Sequence, residues 1–544
     1  FGLGWNLSLP SITRKTDKGL PQYLDADESD EFILSGAEDL VPVLVENTEG
    51  KWESEKVPSS EMGNITYTIQ RYRPRIEGLF ARIERWTSTT DSRDNFWRSI
   101  SKDNITTWYG KTENSRVTNP SNPTQIFSWL ICESYDDKGN VISYEYKAED
   151  SDNINLFQVN ERNRTNISRS AQRYLKRIKY GNIEPYFPKI NVTLPSGWMF
   201  ETVFDYGEHN DNAPNPDDSG TWRARNDPFS SCRAGFEIRT YRLCQRVLMF
   251  HHFEDEPEVG NNCLVRSTDF NYHHQQSSND PRNPIHSVID SVTQCSYQKN
   301  INDDSYIKKT LPPVEFVYSP VIWGDKIEKV ASDSMKNLPA GVDGSQYQWL
   351  DLDGEGLSGV LTEQGGAWFY KHNESPVTRL YEDKQPSYTA RLGATQVVKT
   401  MPTGGLSGAS NRQLLDLAGN GQIDLVEFSP PLSGFYERTD PIAENEEKSW
   451  SRFKTFKSQA NINWNDPNLK FIDLTGDGHA DILITENEVF TWYPSLAEQG
   501  FAQSKRVHIP TDEEQGPRVI FANLEQTLFQ ADFTGDGLTD IVRI

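Results

Sequence analysis

The sequence predicts an all-β protein, and three observations carry that prediction. Tryptophan and tyrosine are abundant, at 14 and 22, while methionine numbers only 5. Pro, Gly, Asn and Asp recur between short apolar runs, which is the composition of strands and turns rather than helices. Segments that alternate apolar with polar residues follow one another through residues 1–340. An acidic motif with paired glycines then recurs four times in residues 345–544, at intervals of 65, 57 and 59 residues. A motif at such spacing signals a repeat architecture rather than one active site. The expected organisation is therefore a β-rich region over 1–340 followed by a repeat region over 345–544.

Residues 1–14 alternate apolar with small or polar side chains and read as a strand. A polar loop with Asp and Gly turns covers 15–30. Strands are expected at 32–36 and 40–45. Residues 72–86, which contain Pro74, read as an edge strand because proline donates no ladder hydrogen bond. Residues 95–97 and 107–110 are paired strands. Residues 129–146 form a hairpin whose Lys138-Gly139-Asn140 turn lies between alternating aromatics. Residues 235–252 alternate throughout and read as one long strand with basic residues on one face. That stripe is either an internally paired or solvated face, or a surface for cargo or a partner. Residues 312–318 form a strand, and the small residues of 332–344 read as a linker.

The repeats are legible residue by residue. The best copy runs Asp473-Leu474-Thr475-Gly476-Asp477-Gly478-His479-Ala480-Asp481, and Asp532-Phe533-Thr534-Gly535-Asp536-Gly537-Leu538-Thr539-Asp540 repeats it. A third copy opens at Asp416 with Asn420 at position 5. A fourth opens at Asp351, with Gly359 where position 9 should be acidic. Strand patterns flank each loop, and the glycines supply the positive φ a tight turn needs. Carboxylates at positions 1, 5 and 9 can converge on one hard cation, with calcium the cation such loops take. The metal candidates are Asp473, Asp477, Asp481, Asp532, Asp536 and Asp540; the other two loops hold fewer anionic oxygens. The alternative is that these carboxylates only accept hydrogen bonds from loop N–H groups.

These loops resemble the FG-GAP/VCBS repeats of β-propellers, with aromatic strands such as Gly366-Ala367-Trp368-Phe369-Tyr370 and Val489-Phe490-Thr491-Trp492-Tyr493 as the blades' packing faces. Four loops imply about four blades, fewer than most rings hold, and the last stops as its outgoing strand begins, as in a propeller cut short. Gly2-Leu3-Gly4-Trp5, Ile12-Thr13-Arg14-Lys15-Thr16, Glu31-Phe32-Ile33-Leu34-Ser35-Gly36 and Tyr72-Arg73-Pro74-Arg75-Ile76-Glu77-Gly78-Leu79-Phe80 resemble the N-terminal region of the SpvB/TcaC/TcdB group. That group comprises B components of bacterial Tc insecticidal toxin complexes and a related Salmonella virulence-plasmid protein. The 129–146 hairpin is similar to the YD repeat of RHS proteins, whose strands wind into a hollow shell. The resemblance implies an RHS/YD-like shell region followed by part of a β-propeller. It also implies a TcC-like RHS subunit, a TcA-like pentameric channel and an encapsulated toxin peptide as partners. Synthesis in the bacterial cytoplasm and release to the extracellular space go with it. The opening at Phe1 reads as clipped, so an export signal is not assessable.

Nothing in the residues assembles into a familiar catalytic motif, and the expectation is a non-enzymatic protein. H-E-x-x-H, G-x-S-x-G and P-loop patterns are absent from the sequence. Glu53-Ser54-Glu55 spells an E-x-E signature but falls in an expected polar loop, far from where the Salmonella relative carries its transferase. His251-His252 and His273-His274 point to opposite faces of a strand and cannot share an ion. A net charge of −24 argues against a nucleic-acid partner. No apolar run is long enough to span a membrane. Five cysteines without a C-x-x-C pair read as buried thiols. Two rivals stand beside this reading: a calcium-dependent propeller adhesin, and the carrier part of an SpvB-like ADP-ribosyltransferase toxin lacking its catalytic domain.

Overall fold

The computed structural model describes the chain except for residues 18, 63–64, 189–192, 258, 275–285, 301–304, 319–326, 328, 339–346, 376–378, 383–384, 389, 403–411, 429–431, 440–447, 487, 510–518, 523–527, 535–536 and 544. The described residues are nearly all strand, turn and loop, as the composition predicts. They divide into two compact units, Phe1–Lys15 with Pro21–Trp323, and Thr16–Leu20 with Gly324–Ile544.

The first unit begins with strands that close on themselves. Ser11–Arg14 pairs with Phe32–Leu34, and the pairing passes through Glu38–Pro42, Ile65–Pro74, Arg82–Ser88, Asn95–Ile100 and Thr106–Tyr109 to Asn122–Tyr135. That last strand pairs back onto Ser11–Arg14, with Ile12 opposite Trp129. Every pairing is antiparallel, so the ring is a closed barrel without a free edge. Alternation along the strands divides the apolar residues between two faces. Phe32, Tyr72, Ile83, Trp97 and Trp129 gather in one buried cluster, and Tyr67, Trp86, Phe96 and Trp108 in another. Neighbours Phe96 and Trp97 thus sit in different cores, both fully buried. From Asn122–Tyr135 the sheet leaves the barrel through Val141–Ala148, Arg173–Asn182, Trp198–Asp205, Arg246–Phe253, Gly260–His274 and Ser287–Lys299.

Several expectations for this region need correction. Only Ser11–Arg14 of residues 1–14 forms a strand. Pro74 ends its strand, and Arg82–Ser88 lies between two partners rather than at an edge. The expected single strand over 235–252 is broken into Ile238–Thr240 and Arg246–Phe253. Residues 241–245 between them are irregular, and Tyr241 and Arg242 donate to the buried Glu161 and Glu149. The 129–146 hairpin is present, with Tyr135 opposite Val141 and Asp136 accepting the N–H groups of Lys138 and Asn140.

Among its described residues the second unit holds three four-stranded antiparallel sheets, two small two-stranded pairs and a final hairpin. The first comprises Tyr347–Leu350, Gly359–Gln364, Ala367–Lys371 and Gln396–Val397. Arg412–Leu415, Asp424–Glu427, Gly434–Tyr436 and Lys454–Thr455 form the second. Leu469–Ile472, Asp481–Thr485, Val489–Tyr493 and Lys505–His508 form the third, and Leu528–Ala531 with Asp540–Arg543 the hairpin. Consecutive sheets share cores: Leu361 and Trp368 of the first pack with Leu425 of the second, and Val426 and Phe435 with Ile482 and Ile484 of the third. Of the stretch read as a linker, residues 339–344 lie outside the described residues, and Ser334 is buried and accepts the Leu392 N–H at its hydroxyl and the Lys371 ammonium at its carbonyl.

Candidate functional site

The four acidic loops occupy the same place in their sheets, between the first strand and the second. Their carboxylates follow one hydrogen-bonding rule. At position 1, Asp351 accepts the N–H groups of Glu355 and Gly356, Asp416 those of Asn420 and Gly421, and Asp473 those of Asp477 and Gly478. Asp532 accepts from Gly537 in the same way. At position 9, Asp424 accepts the Leu417 N–H, Asp481 that of Leu474, and Asp540 that of Phe533. The loops at 416, 473 and 532 thus use their two end carboxylates to satisfy backbone donors that the tight turn leaves unpaired.

The loop without a ninth carboxylate supports this reading. Gly359 stands there, and the Tyr370 hydroxyl accepts the Leu352 N–H at 3.3 Å while donating to the Leu350 carbonyl at 3.1 Å. A Cβ built at Gly359 would lie 2.4 Å from the Tyr370 hydroxyl oxygen. The tyrosine occupies the space that an aspartate would fill. Sequence reasoning counted Gly359 as a missing ligand and overlooked Tyr370, eleven residues on, as its replacement.

Position 4 has a second reason to be glycine. A Cβ on Gly354 would meet the Gly421 carbonyl oxygen of the next loop at 3.1 Å, and one on Gly476 the Gly537 carbonyl oxygen at 2.6 Å. The loops are also latched to the sheet or loop beside them. Arg438 pairs with Asp353 at 2.8 Å, the buried His479 ring donates from Nδ1 to the Leu417 carbonyl, and the Thr539 hydroxyl donates to the Asp473 carbonyl.

For the metal candidates the outcome is specific. Asp473 receives four backbone N–H groups, Asp477 receives that of His479, and Asp481 those of Leu474 and Ser495. Asp532 and Asp540 accept loop N–H groups as described, and Asp536 lies outside the described residues. Among the described residues the carboxylates of these loops do not converge as a metal-ligating group. Burial raises Asp424 and Asp481 to about 7, against the hydrogen bonds that favour their charged forms.

The basic stretch of the first unit faces inward. Arg239 pairs with Glu161, Arg242 with Glu149 and Arg246 with Asp205, and all six side chains are buried. Internal pairing, not a cargo surface, explains that stripe. His252 pairs with Glu201, and the His251 ring packs edge-on to Phe200. Glu53 and Ser54 lie in the hairpin strand Trp52–Ser54, and Glu55 pairs with Arg71. The five cysteines are unbridged, and four are buried. No described helix is long and apolar enough to cross a membrane.

Residues 1–253 match the family of the Salmonella virulence plasmid 65kDa B protein, SpvB. That part of the chain, a little under half of it, is similar to SpvB. Proteins named mono(ADP-ribosyl)transferase SpvB, from Salmonella typhimurium and Salmonella dublin, are 39% identical over 266 residues. The match covers 47% of this chain and 43% of each relative, so the chain spans less than half their length. The structure resembles a chain of the Photorhabdus luminescens Tc holotoxin pore, with a TM-score of 0.67 and 29% identity over 100% of this chain and 23% of that one. The TcdB2-TccC3 structure without its hypervariable C-terminal region matches in fold, with a TM-score of 0.56 and 24% identity over 100% of this chain and 28% of that one. The expectation of a non-enzymatic protein is corrected by the first comparison. The relatives that share the SpvB region carry an enzyme's name, and the motif search behind that expectation covered only the residues of this chain.

Proposed function

We propose that this chain is part of a B-type component of a Tc-type toxin complex, contributing wall to a compartment that holds a toxic peptide. In this reading the first unit is the SpvB-like domain and the lead-in to the shell. The second unit supplies successive blades of a propeller that docks on a TcA-like channel. The observation that carries the reading is the likeness to the Tc holotoxin chain across the whole of this one. The sheet organisation supports it, since four-stranded sheets with shared cores and a latched loop in each are what propeller blades need. Sheets closed into a barrel or joined edge to edge leave few unpaired backbone groups, which suits a wall. Co-expression of the polypeptide containing this chain with a TcC-like subunit tests the role. A stable complex that shields the C-terminal peptide of that subunit from protease is expected. Failure to associate, with both proteins folded, would remove the shell reading.

A second reading rests on the relatives' names. In it, this chain would serve to carry or deliver a mono(ADP-ribosyl)transferase, the activity in the relatives' name. Transfer of label from NAD to a host protein by the complete polypeptide would support it, and no transfer above a heat-treated control would count against it.

A further inference from the structure

A buried cluster in the first unit carries an inference independent of the acidic loops. The strand Trp198–Asp205 ends in Asp205-Tyr206-Gly207-Glu208-His209, where Gly207 has φ +104 and turns the chain back. The turn brings Asp205, Glu208 and His209 together, with one ligand atom from each lying within 4.8 Å of the others, and all three residues are buried.

The histidine carries the argument. Its Nδ1 lies 2.8 Å from the Asn215 carbonyl oxygen. A carbonyl only accepts, so Nδ1 holds the proton, and in the neutral ring Nε2 presents a lone pair. Nε2 is buried and has no hydrogen-bond partner. It faces Asp218 Oδ1 at 3.5 Å and Glu208 Oε1 at 3.9 Å. A buried lone pair directed at two carboxylates is left without a donor, and the nearby Lys176 ammonium lies against Glu208 rather than Nε2. A histidine whose Nδ1–H is anchored on a backbone carbonyl, with Nε2 turned to carboxylates, has the orientation of a metal ligand.

We propose that Glu208 and His209, with Asp205 beside them and Asp218 at the outer lip, form a site for a divalent cation of the zinc type. The mixed imidazole and carboxylate donors suit zinc, whereas magnesium takes oxygen ligands and keeps its water. Two cations already sit in the neighbourhood. Arg246 holds Asp205 Oδ2 at 2.6 Å, and Oδ1 accepts the Gly207 N–H at 2.8 Å, so Asp205 borders the site rather than closing it. The Lys176 ammonium lies against Glu208 and donates to the Phe204 carbonyl at 3.1 Å. Lys176 balances Glu208 but gives Nε2 no donor. A bound metal ion would take Glu208 Oε1 and leave Lys176 to the Phe204 carbonyl and to Asp218, now 3.6 Å away. Bound there, the ion would tie the 210–220 loop, through Asp218 and the Asn215 anchor, to the end of the strand.

The test uses the 544-residue chain stripped with chelator and titrated with Zn²⁺ alone. A saturable rise in melting temperature is expected, with no comparable rise from Mg²⁺. Co²⁺ should give a visible ligand-field band. His209→Gln should remove the band and weaken Zn²⁺ binding by at least about tenfold. Should that variant fold poorly, Asp218→Asn alters only the outer lip and should still weaken binding. Zn²⁺ without effect on melting, Co²⁺ without a band, an equal rise from Mg²⁺, or unchanged binding in both variants would each overturn the site. The last result would assign the metal to other histidines or cysteines.

Discussion

At the scale of single residues, the acidic loops show carboxylates at the candidate metal positions serving as turn acceptors. Asp473 takes four N–H groups, and Tyr370 replaces an acid where Gly359 leaves no side chain. Tyr370→Phe therefore leaves the buried Leu352 N–H without an acceptor, and should lower stability by about 1–3 kcal/mol in urea unfolding. An unchanged unfolding midpoint would mean the hydroxyl is dispensable. Asp424 carries a pH signature. Burial raises it from 3.8 to about 7 in the folded state, so the folded chain holds this proton more tightly than the unfolded chain. Its contribution is fully present below about pH 4 and is lost as the pH rises through about 7. Asp424→Asn keeps an acceptor for Leu417 and should flatten the decline in stability between pH 5 and pH 8, with Asp481 retaining part of it. A variant with the wild-type slope would show that Asp424 is charged throughout.

At the scale of elements, the loops serve as joints between consecutive sheets. Gly476 lets the next loop's Gly537 carbonyl approach, and His479 and Thr539 reach across successive loops. Asp473→Ala should lower the melting temperature by the same amount with and without calcium, because the backbone donors it satisfies are the same in both. Calcium itself should shift the wild type little. A large calcium-dependent rise that Asp473→Ala abolishes would support the metal reading. Much of this level was legible in the sequence: the repeat, its place between two strands, and the hairpin at residues 129–146. Closure of the first strands into a barrel was not, because ring closure depends on pairing Ile12 with Trp129, and no local alternation encodes that distance. The break in the 235–252 pattern was also hidden. Alternation continues through Tyr241 and Arg242, while those side chains donate to buried Glu161 and Glu149, distant in sequence. The Asp205-Tyr206-Gly207-Glu208-His209 turn did carry a local signal, three ligand-type residues around one glycine, which the search for established motifs passed over.

At the scale of the molecule, the two units make different contributions to one account. The SpvB-like match lies in the first, and the sheets with acidic loops lie in the second. The Tc holotoxin likeness runs through both, so the proposal concerns them jointly. Its central claim is that this chain docks on a TcA-like channel through the face its propeller presents. Binding of the chain to an immobilised TcA-like pentamer is the most direct measurement, read with the wild type and with Gly476→Ala, which disturbs the joint between the third sheet and the last hairpin. The account predicts saturable binding by the wild type and weaker binding by a folded Gly476→Ala variant. Absence of binding by the folded wild-type chain, against a pentamer that binds its own B component, would contradict it.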